Sequence, residues 1–121
     1  MEVMNIKVST ETMDDIVVVY VEGEVDVYTS TYFKRELINA LENSGLNKLI
    51  ISLNDVKYID STGLGILIGM LKRVKERNGK MTVVCSNPQI KKVFSITGLI
   101  KILGMHDNLQ SAIDSLKKDI S

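Results

Sequence analysis

Lys48-Leu49-Ile50-Ile51-Ser52-Leu53 is an apolar, strand-like run, and soon after it comes Tyr58-Ile59-Asp60-Ser61-Thr62-Gly63-Leu64-Gly65. Beyond this loop the apolar residues fall at Leu64, Leu67, Ile68, Leu71 and Val74, one face of a helix. The stretch therefore reads as strand, short loop and helix. Asp60, Ser61 and Thr62 are residue types favoured at a helix N-cap. They stand where unpaired backbone N–H groups and the positive end of the helix dipole face outward. A hydroxyl in that position can carry a phosphate, or it can simply cap the helix.

Outward from this centre, alternating strands and helices are expected. Residues 4–10 suit an edge strand, and Met13-Asp14-Asp15 a polar turn. Ile16-Val17-Val18-Val19-Tyr20-Val21 is a nearly continuous β-branched run, as in a strand covered on both faces. Gly23 offers a bulge or turn before the acid-rich Glu24-Val25-Asp26-Val27-Tyr28. Thr29, Ser30 and Thr31 are cap candidates for a helix with Phe33, Leu37, Ala40 and Leu41 on one face, closed by Gly45. The central helix runs to Asn78-Gly79, a left-handed stop, and Met81–Cys85 is the next strand. Asn87-Pro88 opens a third helix that Gly98 ends. A short strand near Lys101-Ile102-Leu103 and a last helix from about Asn108 complete the reading. This is an α/β pattern in one domain over residues 1–121, with an antiparallel or mixed start and parallel pairing later.

Composition narrows the function. The formal charge is zero, but residues 1–70 hold 11 acids against 5 bases and residues 71–121 hold 4 against 10. The basic residues come without stacking aromatics, since the chain has 4 Tyr, 2 Phe and no Trp, so nucleic acid is not the expected partner. Lys72, Arg73, Lys75 and Arg77 suit a helix C-terminus on dipole grounds alone. The single cysteine, Cys85, supplies neither a disulfide framework nor a cysteine metal site, and it reads as a small hydrophobe in its strand. The N-terminus has no signal-peptide pattern, and no apolar run approaches the roughly 18 residues that span a bilayer. A cytoplasmic protein without membrane contact is expected.

Catalytic readings fit poorly. Ile59-Asp60-Ser61-Thr62-Gly63 lacks the first glycine of a nucleophile elbow, and a small serine hydrolase would have to use His106, in a Gly104-to-Asn108 loop, as its base. Gly63-x-Gly65-x-x-x-Gly69 misses a dinucleotide loop by one residue and sits inside the helical pattern. Its small residues suit close packing on the strands or a flat surface for a partner. A response-regulator receiver would need an acceptor aspartate and a late lysine in places that Asp60 and the lysines here do not supply.

At Asp60-Ser61-Thr62-Gly63-Leu64-Gly65 the sequence resembles the anti-sigma factor antagonists, small STAS-domain proteins of bacterial partner-switching systems. Gly23–Tyr28, Leu49–Ile59 and Val93-Phe94-Ser95-Ile96-Thr97-Gly98-Leu99 match the same pattern in the same order. The resemblance implies a STAS-like domain, a mixed central β-sheet with about four helices packed mainly on one side. It implies a non-enzyme without cofactor or metal. In that family the unphosphorylated protein binds an anti-sigma factor that is also a serine kinase and so frees a sigma factor. Phosphorylation by the kinase reverses binding, and a PP2C-type phosphatase resets the switch. Carried over, the phosphorylated residue is Ser61, with Thr62 a minor candidate. Partner binding falls to Glu24, Asp26, Tyr28, Asp60, Ser61, Thr62, Gly63 and Leu64, that is, to the Glu24–Tyr28 loop and the exposed face of the central helix. Asp26 has a second reading, as an aspartate that bonds its own turn. Other STAS duties, a stressosome-like scaffold or a lipid-transport component, remain alternatives.

Overall fold

The computed structural model describes residues 5–117, so Met4, placed at the head of the edge strand, and the last residues of the chain lie outside it. The strands and helices are β1 (Ile6–Met13), β2 (Ile16–Val25), α1 (Ser30–Ser44), β3 (Lys48–Ile59), α2 (Ser61–Glu76), β4 (Lys80–Val84), α3 (Pro88–Ile96), α4 (Leu99–Leu103), β5 (Met105–His106) and α5 (Leu109–Lys117). One sheet joins the strands in chain order, β1-β2-β3-β4-β5. β1 pairs antiparallel with β2, and every later pair is parallel, so the sheet is mixed.

This topology decides where the helices go. From β2 onward each new strand is added on the same side of the last one, and crossovers between parallel strands are right-handed almost without exception. Repeated in one direction, they stack α1, α2, α3 and α4 on one face. There Val17, Val19, Leu49, Ile51 and Val83 meet Phe33, Leu37, Leu67, Val74 and Phe94, all buried. Among the described residues only α5, which follows β5, turns back across the other face. Ala112, Ile113 and Leu116 cover Ile16, Val18, Ile50 and Val84 there. Both faces of β2 and β3 are thus roofed, which is why their sequences run apolar without alternation.

Four local readings need correction. Lys101–Leu103 lies in helix α4, where Leu99 and Leu103, four apart, share the buried side and Ile102 points out. The strand follows it: His106 lies in β5, and its carbonyl accepts from Cys85 N at 2.9 Å. β3 continues past Leu53, where the apolar run ends, to Ile59. In α2 the buried side includes Met70, while Ile68 is 43% exposed. The left-handed stop expected at Asn78-Gly79 is there, with Asn78 as the left-handed residue. Among the described residues five helices, four on one face and one on the other, agree with about four packed mainly on one side.

Arg73 and Arg77 reach Glu42 of α1, at 3.9 and 2.7 Å. These basic residues form a solvated helix surface. Among the described residues no helix is long and apolar enough to cross a membrane.

Candidate functional site

The parallel strands β2 and β3 end side by side, Val25 opposite Ile59, and their carboxyl ends launch the two loops of interest. Sites in open α/β sheets gather at such ends. Asp60 N donates to Val25 O at 3.1 Å, which fastens the β3–α2 turn to the start of the Asp26–Thr29 loop.

Asp60, not Ser61, is the cap of α2. Its backbone is extended, and its carboxylate accepts from Gly63 N at 3.1 Å. Ser61 is therefore the first helical residue, where side chains radiate from the helix end. It is exposed, and its hydroxyl has no hydrogen-bond partner among the described residues. Thr62, also exposed, borders a groove of about 270 Å³ between α1 and α2 that Lys34 and Arg73 flank. The two hydroxyls thus have different surroundings.

Gly63 is buried against the strand ends. A Cβ there would lie 2.6 Å from Val25 Cγ1 and 2.7 Å from Ile59 Cγ1, so the absence of a side chain lets α2 start directly on the sheet. Leu64 is buried too. These two expected contact residues face inward and hold the site from behind. A Cβ at Gly65 or Gly69 would meet nothing within 4 Å, so these two glycines leave the outer face of α2 flat.

The neighbouring loop is built around two side chains. Asp26 Oδ1 accepts from Tyr28 N at 2.9 Å and Thr29 N at 3.0 Å, the turn-bonding role. Thr29 stands at the cap position of α1 but does not cap it. Its buried hydroxyl donates to Glu24 O and accepts from Asp26 N, both at 3.0 Å. Removing that hydroxyl leaves both groups without their partner, so Thr29→Val is expected to lower stability by about 1–3 kcal/mol. It should also raise hydrogen exchange across residues 26–29; unchanged exchange there would argue against this role.

This bracing pushes apolar surface outward. Tyr28 is 86% exposed, Val27 62% and Tyr58 51%. Val27, Tyr58 and Ile68 were not named one by one among the expected partner-binding residues, although Val27 lies in the expected Glu24–Tyr28 loop. The available signal was local: a large apolar side chain next to a turn-forming aspartate has little core to enter, and Tyr58 lies between Lys57 and the buried Ile59. Glu24 pairs opposite Tyr58 and is half-buried. The site is thus a surface with an exposed hydroxyl, the carboxylates of Glu24, Asp26 and Asp60, and an apolar rim. Burial pushes the Cys85 thiol up, away from thiolate character, so it is not a nucleophile held in reserve.

The STAS domain model matches residues 7–112. The chain belongs to the STAS family. It is 31% identical to the anti-sigma-B factor antagonist of Staphylococcus aureus over 88% of this chain and 98% of that protein. It is 28% identical to the anti-sigma F factor antagonist of Paenibacillus polymyxa, over 94% and 97%. A crystal structure of an anti-sigma factor antagonist from Mycobacterium paratuberculosis superposes with a TM-score of 0.85 at 26% identity, covering 93% of this chain and 95% of that one. Among STAS domains, then, this chain is similar to regulators of sigma factors along nearly its whole length.

Proposed function

We propose that this chain is a cytoplasmic anti-sigma factor antagonist whose switch is the Ser61 hydroxyl. Unphosphorylated, it binds an anti-sigma factor that is a serine kinase, so that a sigma factor is released. The kinase transfers the γ-phosphoryl of ATP to Ser61 Oγ: the Oγ–P bond forms as the bond from the γ-phosphorus to ADP breaks, ADP leaves, the hydroxyl proton passes to the kinase or to water, and binding is lost. A PP2C-type phosphatase hydrolyses the ester and restores the hydroxyl.

The observation that carries this reading is the setting of Ser61: exposed, unbonded, at the first position of a helix already capped by Asp60. The fold does not use that hydroxyl, so modifying it need not disturb the fold. Glu24, Asp26 and Tyr28 on one loop, with Asp60, Thr62 and the flat face of α2 on the other side, form the docking surface in this reading.

The test is incubation with ATP and the anti-sigma kinase of the same genome, with the phosphate mapped by mass spectrometry. Ser61→Ala should bind the kinase and resist phosphorylation; Ser61→Asp should bind more weakly. Phosphate on another residue, or full binding by Ser61→Asp, would sink the proposal. A phosphate confined to Thr62 would move the switch to the α1–α2 groove.

A further inference from the structure

The outer edge of the sheet is a strand with little to protect it. β1 runs eight residues, contains no proline, and keeps an unbroken register with β2 from Ile6↔Gly23 to Met13↔Ile16. Edges of this kind template pairing with another strand, and proteins usually blunt them with prolines, bulges, shortening or charged side chains, of which β1 has only the last, Lys7 and Glu11. At the opposite edge β5 has only two residues.

The groups that face outward can be identified. Glu24 N donates to Asn5 O at 2.6 Å, so Asn5 is bonded to β2. Antiparallel ladders alternate, and so Lys7, Ser9 and Glu11 also bond inward, while Ile6, Val8, Thr10 and Thr12 direct N–H and C=O away from the sheet. We propose that β1 pairs antiparallel with β1 of a second copy of this chain, about a twofold axis through Ser9, to form one continuous sheet.

The register is chosen by charge. Hydrogen-bonded pairs must join outward-facing residues, so even-numbered residues meet even-numbered ones. Centred on Ser9, the pairing sets Ile6 opposite Thr12 and Val8 opposite Thr10, and it sets Lys7 opposite Glu11 of the second copy, twice by symmetry. A two-residue slip in either direction puts Lys7 opposite Met13 or Ser9 and loses both matches. Lys7 and Glu11 fall at non-hydrogen-bonded positions, where opposing side chains come closest. Both are exposed, and the Glu11 carboxylate is held above the strand by the Tyr20 hydroxyl, which donates to it at 2.6 Å. The axis is perpendicular to the sheet, so it reverses strand direction. The two Ser61 loops then lie at opposite ends of the joined sheet and both stay open to other proteins.

Sedimentation equilibrium from micromolar to millimolar concentration tests this. The wild-type chain should dimerise. Lys7→Glu, which faces Glu11 with a like charge, should raise the dissociation constant about tenfold or more. The swap Lys7→Glu with Glu11→Lys should bring it back to within a few-fold of wild type. Thr10→Pro removes an outward donor that β2 does not use, and it should abolish the dimer with circular dichroism unchanged. A wild type that stays monomeric over the whole range overturns the proposal. So does a dimer indifferent to Lys7→Glu, or one that the swap fails to restore. Should Thr10→Pro unfold, the charge pair alone decides.

Discussion

Phosphorylated Ser61 is expected to bind the anti-sigma kinase about a hundredfold more weakly than the unmodified chain, with a melting temperature within a few degrees of it. The phosphate brings about −1.5 to −2 charges. Against one acidic group on the partner about 5 Å away, each unit costs about 3 kcal/mol at an effective dielectric near 20. Since 1.4 kcal/mol is tenfold in affinity, a single such encounter suffices for about two decades. Asp60, at the adjacent position, and Asp26, on the neighbouring loop, add negative charge on the same side. The fold itself is insulated, because the helix dipole and the backbone N–H groups at the start of α2 favour an anion there. Calorimetric titration of the kinase with both forms, with scanning fluorimetry of each, reads the two effects separately. Because the opposed groups lie at the surface, raising salt should narrow the gap between the forms. Equal affinities, or a phosphoprotein that melts far below the unmodified one, would show that the charge acts elsewhere.

Gly23→Ala is expected to cost about 3 kcal/mol of stability. Gly23 has φ 107, a region that side-chain-bearing residues rarely adopt, for which a cost of about 1–3 kcal/mol is usual. A Cβ there would also lie 2.2 Å from the carbonyl oxygen of Asn5, a backbone atom that cannot rotate away. Relief requires β1 to move out, against overpacking costs of about 1–3 kcal/mol. The Glu24 N–Asn5 O bond would stretch with it, and so would the approach to the Glu24–Tyr28 loop. For a chain of this size the melting point should fall by on the order of 10 °C. Thermal and urea unfolding measure it; a loss below about 1 kcal/mol would mean that β1 yields easily.

Where local chemistry and periodicity agree, the chain could be read directly. Asn87-Pro88 behaves as its residue types require, the Asn87 side chain accepting from Gln89 N at 2.9 Å. The strand–loop–helix around Asp60 follows from apolar period and cap residues. Leu99–Leu103 went the other way because five apolar-rich residues satisfy strand and helix alike. What decided it was Gly104, whose N–H closes the turn on Ile100 O at 2.9 Å. β5 left no trace, since two residues carry no period. At the site, Asp60 and Ser61 were legible because capping is local chemistry. Thr29 was not, because its hydroxyl serves a loop five residues upstream, a contact set by the β2–β3 pairing. The exposure of Val27 and Tyr28 goes with the turn that Asp26 and Thr29 hold, of which only the aspartate could be read locally.

The solitary position of α5 has a consequence for synthesis. Ile16, Val18, Ile50 and Val84 are laid down early or mid-chain, and on their side of the sheet the cover comes from α5, which leaves the ribosome after every strand. Until it docks, the growing chain carries a bare β-branched strip next to an open strand edge. That is the kind of surface through which nascent proteins stick to one another or recruit chaperones. During synthesis, the interval between the fourth strand and the docking of Ala112, Ile113 and Leu116 is therefore the one in which this strip stands uncovered.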